Sequence, residues 1–217
     1  MAAARLTARP GTVRAEPPPP GTYPLGLGTH RDGLLVVPPG LAPGAPLVVA
    51  LHGAGGTGRQ MVDLVAAEAG RRGVLVLAPD ARTLTWDVIR GGFGPDVAFV
   101  DRALAGVFGA MAVGPVAVAG FSDGASYALS LGLANGDLFS HVLAWSPGFM
   151  SAPDAVGRPR VFVSHGVDDR VLPIARCSRR LVPVLRADGY DVRYEEFDGG
   201  HVVPPSMVSL ALEGLGA

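Results

Sequence analysis

At 217 residues, 48% hydrophobic and only 6% aromatic, the chain has the size of one α/β domain and a composition that excludes a wholly disordered chain. A formal net charge of −1 argues against a polyanionic partner such as nucleic acid. The single cysteine, Cys177, excludes internal disulfides and a four-cysteine metal site, and no apolar run reaches the length needed to cross a membrane.

Residues 1–21 are rich in Ala, Arg and Pro, with Pro17 to Pro20 in a row, and read as a flexible or polyproline-like lead-in to a single domain over 22–217. The start has Arg but no apolar h-region, so a soluble, cytoplasmic protein is expected. Short strands are predicted near Thr22–Leu27 and Leu34–Val37, joined by a polar turn. The apolar runs at 47–51, 74–78, 116–120, 142–145 and 161–164 then read as strands buried on both faces, which is the habit of parallel sheets. Helical patterns separate them: Met61, Leu64 and Val65 share one face, and Val97, Val100, Leu104, Val107 and Phe108 share another, the second helix opening at Gly94-Pro95. Residues 191–197 are mixed, as in a strand near a sheet edge. The order predicts an α/β fold with a mostly parallel central sheet flanked by helices. Two connections, 79–94 and 146–159, exceed what such units need, and long loops in compact folds tend to carry function. Neither is long enough for a substantial lid domain.

Four segments carry chemistry. After the strand at 47–51 comes His52-Gly53-Ala54-Gly55-Gly56-Thr57-Gly58, whose glycines permit a tight backbone turn before a helix. It lacks the Gly-Lys-Ser/Thr ending of a phosphate-binding loop and the spacing of a dinucleotide fingerprint. After the strand at 116–120 comes Gly120-Phe121-Ser122-Asp123-Gly124. A Gly-x-Ser-x-Gly between strand and helix raises the serine hydroxyl above the sheet on a strained turn that needs glycine on both sides. The bland alternative is a glycine-rich turn with a serine cap. A serine hydroxyl needs a base, and His201, in the loop past the last strand, is the only histidine after residue 165. The orienting acid should follow the strand at 161–164, where Asp168 and Asp169 are adjacent candidates. An oxyanion would be met by the backbone N–H groups of Asp123, at the start of a helix, and of Ala54.

Taken together, "LHGAGG", "GFSDGAS", "HGVDDRVLP" and "GGHVVP" resemble the α/β-hydrolase superfamily. More narrowly they resemble the phospholipase/carboxylesterase group and its feruloyl-esterase and polyhydroxybutyrate-depolymerase-like relatives. The resemblance runs from about residue 34 to the C-terminus. It implies an α/β-hydrolase fold and a serine carboxylesterase with Ser122 as nucleophile and His201 as base. In that group the His-Gly-x-x-Asp-x-x-x-Pro segment carries the acid at its fifth position, which selects Asp169; His-Gly-x supports Ala54 as an oxyanion donor beside Asp123. "RTLTWD" and "GGFGPDVAFVDRAL" also resemble segments before the elbow in these esterases, making Trp86 a candidate wall of the substrate cleft, with packing beneath the loop as the alternative. Phe149 and Met150 are candidates for an acyl pocket, whereas Trp145 reads as core. The implied substrate is a small-molecule or chain-like ester, with no metal or organic cofactor. Acyl-thioesterase, lysophospholipase or feruloyl/polyester esterase activity would use the same residues, and a hydrolase-like binding protein is the non-enzyme alternative. Pro183 should kink or split the helix that follows Asp169.

Overall fold

The computed structural model describes residues 4–11, 13, 17–28, 30–152 and 154–215. Its centre is one sheet of eight strands: β1 (Gly21–Pro24), β2 (Gly33–Val37), β3 (Ala45–Leu51), β4 (Leu75–Pro79), β5 (Val113–Phe121), β6 (Phe139–Trp145), β7 (Arg160–Gly166) and β8 (Val192–Phe197). Their order across the sheet is β1-β2-β4-β3-β5-β6-β7-β8. β1 pairs antiparallel with β2 and β2 with β4; every later pairing is parallel.

Alternation along the strands sorts side chains into two cores. In β3, Leu47, Val49 and Leu51 face one core and Val48 and Ala50 the other. The first core is covered by α2 (Pro95–Ala110), α3 (Asp123–Ala134) and α4 (Ser178–Ala187), through residues such as Val100, Leu104, Leu129 and Leu185. The second is covered by α1 (Gly58–Arg71) and α5 (Pro205–Leu212), through Met61, Val65, Met207 and Ala211. The result is three layers, helices on both faces of a mostly parallel sheet. No helix among the described residues is long and apolar enough to cross a membrane.

Three local features differ from the sequence reading. The first strand stops at Pro24 instead of reaching Leu27, because the Asp32 carboxylate gathers the N–H groups of Gly26, Leu27 and Gly28 at 2.8, 2.8 and 3.0 Å and turns the chain out of the sheet. Pro183 does not split α4, which runs unbroken over Ser178–Ala187. Sixth of its ten residues, Pro183 has no N–H to give the Arg179 carbonyl, and the helix continues past that one missing bond.

Residues 4–9, within the stretch read as a lead-in, pack against the domain. Leu6 is buried, its N–H donates to Asn135 Oδ1 at 2.8 Å, and Asn135 Nδ2 donates back to the Ala4 carbonyl at 2.8 Å. The N–H groups of Thr7 and Ala8 both donate to Asp101, and the Arg5 guanidinium grips Asp137 through two bonds of 2.8 and 2.7 Å. Residues 1–3, 12 and 14–16 of that stretch lie outside the described residues.

Candidate active site

Ala54, Ser122, Asp123, Asp169 and His201 follow the C-terminal ends of β3, β5, β7 and β8, one end of the sheet's parallel part, where open α/β folds bind ligands. β5 runs straight into α3 through Ser122, whose backbone has φ 58° and ψ −121°, a conformation that side chains rarely adopt. The turn closes so tightly that a Cβ on Gly120 would lie 2.1 Å from the Gly124 carbonyl oxygen. A Cβ on Gly124 would lie 2.1 Å from the carbonyl oxygen of Leu51. The Ser122 N–H is held by the Trp145 carbonyl at 3.0 Å, which ties the elbow to the end of β6.

His201 bridges Ser122 and Asp169, the acid that the resemblance selects over Asp168. Its Nδ1 lies 2.6 Å from Asp169 Oδ2 and its Nε2 lies 2.9 Å from Ser122 Oγ. A carboxylate only accepts, so Nδ1–H donates to Asp169 and the free lone pair of Nε2 faces the serine hydroxyl. Phe121 lies against the imidazole, ring centres 4.7 Å apart. It is Asp169 that reaches His201; Asp168 is exposed and uses its N–H on the Gly199 carbonyl at 2.9 Å. The Asp169 side chain is sealed from solvent. Burial alone would raise its carboxyl, but the bonds from His201 and from the N–H groups of Leu172 and Val171 outweigh this and hold it below the usual carboxylate range.

The loop after β3 lies against the elbow: a Cβ on Gly53 would sit 3.3 Å from Ser122 Cβ. His52, buried beneath this loop, donates from Nδ1 to the Gly53 carbonyl at 2.7 Å and accepts the Ala81 N–H at Nε2, 3.0 Å away. Desolvation lowers its pKa, in keeping with a neutral ring that donates from one nitrogen and accepts at the other. The Gly55 N–H is taken by the Leu84 carbonyl at 2.6 Å and that of Gly56 by the Gly53 carbonyl at 3.0 Å. Among the described residues, the N–H groups of Ala54 and Asp123 donate to no protein acceptor.

Trp86 is not a cleft wall. Fully buried, it stacks on Tyr127 with ring centres 4.9 Å apart and donates its indole N–H to the His52 carbonyl at 2.8 Å, so it supports the loops from below. Phe149 is half-buried against the first core. Met150 lines a cavity of about 340 Å³ with Leu133, Asp188 and Tyr190, a lining that does not include Ser122. Trp145 is core, as expected.

Several residues that shape the site escaped the sequence reading. Thr85 Oγ1 donates to Asp123 Oδ2 at 2.6 Å, fastening the 79–94 loop to the residue after Ser122. Ser126 Oγ accepts the N–H of Gly148 at 2.9 Å and Ser130 Oγ accepts that of Ser151 at 2.8 Å, holding the 146–159 loop to α3. The spacing of Ser122, Ser126 and Ser130, four residues apart on one helix face, was the available signal.

A second serine–histidine–aspartate chain of contacts shares the acid. His165 Nε2 is 3.2 Å from Asp169 Oδ2 and His165 Nδ1 is 2.7 Å from Ser178 Oγ. His165 and Ser178 are both 0% exposed, so no substrate reaches that serine, whereas Ser122 retains 9% exposure.

No protein-family model matches the chain, and no curated protein matches it in sequence. Solved structures do match. The esterase PE8 superposes with a TM-score of 0.69 at 24% identity, over 84% of this chain and 96% of that one. A CE1 ferulic acid esterase from Anaeromyces mucronatus, solved with ferulic acid, gives a TM-score of 0.64 at 16% identity, over 96% and 95% of the two chains. A fluorophosphonate-binding serine hydrolase of Staphylococcus aureus gives 0.67 at 12% identity, over 90% and 96%. The chain has the α/β-hydrolase fold. No lid is evident among the described residues: β5 and β6 are joined by α3 alone, β7 and β8 by α4 alone, and the 146–159 connection between β6 and β7 carries no helix.

Proposed function

We propose that this α/β-hydrolase-fold chain is a serine hydrolase that cleaves carboxylic esters through an acyl-enzyme on Ser122. The observation that carries the reading is His201 held between Asp169 and Ser122 at 2.6 and 2.9 Å. His201 Nε2 takes the hydroxyl proton as Ser122 Oγ attacks the ester carbonyl, and Asp169 keeps the ring oriented and stabilises the imidazolium that forms. The N–H groups of Asp123 and Ala54, free of protein acceptors, are the donors for the oxyanion. His201 then passes its proton to the leaving alcohol and activates water for deacylation. The open, lid-free site suits a small acyl ester or a chain lying across the surface.

Labelling with a fluorophosphonate probe tests the reading. The intact protein should form an adduct, and Ser122→Ala should form none. A panel of p-nitrophenyl acetate, longer acyl esters, a feruloyl ester and an acyl thioester then ranks the substrates. An intact protein that takes no label and hydrolyses no member of the panel is a binding protein on this fold, and the proposal falls.

A further inference from the structure

Asp169 has a second imidazole beside it that the acyl-transfer scheme does not use. His165 is the penultimate residue of β7, fully buried, four residues before Asp169. Its Nε2 is 2.8 Å from the Leu172 carbonyl oxygen and 3.2 Å from Asp169 Oδ2, and both neighbours can only accept. Nε2 must therefore carry the proton. Its Nδ1 lies 2.7 Å from Ser178 Oγ, at the first turn of α4. Desolvation lowers the pKa of His165, so the ring is neutral and Nδ1 offers a lone pair that the serine hydroxyl fills. One tautomer satisfies every contact.

We propose that His165, locked by Ser178, is a positioning residue that sets the orientation of Asp169 toward His201. This rests on the Ser122 hydrolase reading. The chain between the two residues closes a small cage around the carboxylate. Asp169 Oδ1 accepts the N–H groups of Val171 and Leu172 at 2.9 and 2.8 Å, while His165 holds the carbonyl of that same Leu172. The imidazole N–H thus pins the loop that feeds Oδ1 and lays its positive edge beside Oδ2, the oxygen His201 uses. Flipping the tautomer would put a lone pair against two acceptors and push the carboxylate out of line. Simple core packing would need neither the fixed tautomer nor the serine.

Kinetics on His165→Leu, His165→Gln and Ser178→Ala, beside wild type and Ser122→Ala, test this, together with the downfield proton resonance of the His201 N–H held by Asp169. Leucine fills the space without a donor; the side-chain amide of glutamine reaches the Nε2 position and donates. His165→Leu should lower kcat by about tenfold to a hundredfold with KM little changed, the scale expected for a misplaced catalytic group, and should broaden or remove the resonance. His165→Gln should recover most of both, and Ser178→Ala should lose less than the leucine variant in the same direction. A folded His165→Leu with wild-type kcat and an intact resonance overturns the inference. So does a folded His165→Gln whose kcat falls tenfold or more below wild type with the resonance lost, which decides the matter even if leucine prevents folding. A wild type that takes no label at Ser122 sinks the hydrolase reading and this inference with it. A labelled, Ser122-dependent wild type with a normal His165→Leu sinks this inference alone.

Discussion

Thr85 and Asp123 are joined side chain to side chain at 2.6 Å, so the long loop after β4 is fastened to the first residue of α3. The same loop takes the Gly55 N–H at the Leu84 carbonyl. One segment therefore braces both backbones proposed to meet the oxyanion. Thr85→Val keeps the shape and removes the donor. It should cost about 1 kcal/mol of stability, as for one hydrogen bond, and lower kcat more than it raises KM. Urea denaturation and steady-state kinetics on one ester would measure both.

Gly124 faces a harder constraint, because a methyl there meets the carbonyl oxygens of Leu51 and His52 at 2.1 and 2.5 Å. Backbone cannot yield as a flexible side chain would. Gly124→Ala should destabilise by about 1–3 kcal/mol, as over-packing does, and cut esterase activity at least tenfold, by about the cost of a displaced oxyanion donor. Thermal unfolding would report the first effect and fluorophosphonate labelling rate the second.

The lowered carboxyl of Asp169 links stability to pH. A group with a depressed folded-state pKa adds stability that is complete above its unfolded value, near 4, and is lost as pH falls through the folded value. Asp169→Asn removes that contribution. The variant should be less stable than wild type at pH 7, with the gap closing as pH drops below about 4. Denaturant midpoints from pH 7 down to the acid transition would show the convergence, and a gap of constant size would refute it.

Leu6 and Asp137 separate packing from charge in the N-terminal segment. Leu6 is 2% exposed, whereas the side chain of Asp137 is 36% exposed in its pairs with Arg5 and Arg9. Leu6→Ala should cost about 2 kcal/mol or more, and Asp137→Asn less than about 1 kcal/mol, since exposed ion pairs contribute little. Both should keep full activity. Leu6 bonds to Asn135, beyond the far end of a helix that spans about 18 Å from the elbow. Melting curves and specific activity would test the pair of expectations.

The parallel strands were legible because their apolar runs are continuous; strand ends and glycines bracket Ser122 and His201, whereas the choice of Asp169 over Asp168 came from the resemblance alone. What escaped reading has a common physical character. Trp86 carries the same indole whether it walls a cleft or supports a loop, and only its burial against Tyr127 and His52 decides. The end of β1 depended on Asp32, a residue outside the strand whose carboxylate collects three amides. His165 precedes a legible acid by four residues, but its role needs the Leu172 carbonyl and Ser178 hydroxyl in place. The short motifs mark the residues proposed to react, while the residues packed around them are set by contacts that no short motif displays.

The two hydroxyls of Ser126 and Ser130, each taking an amide from the 146–159 loop, make that loop a passenger on the helix that begins at the nucleophile. Its root is tied to the helix that follows Ser122, while Ala152 and Ala155 toward its tip line the cavity beside Met150. For anyone seeking to change what the site accepts, this is a replaceable cassette on a fixed mount. The tip should tolerate recoding without realigning the serine, provided the two hydroxyl anchors, the amides they hold, and the bond from the Val156 N–H to the Leu133 carbonyl are kept.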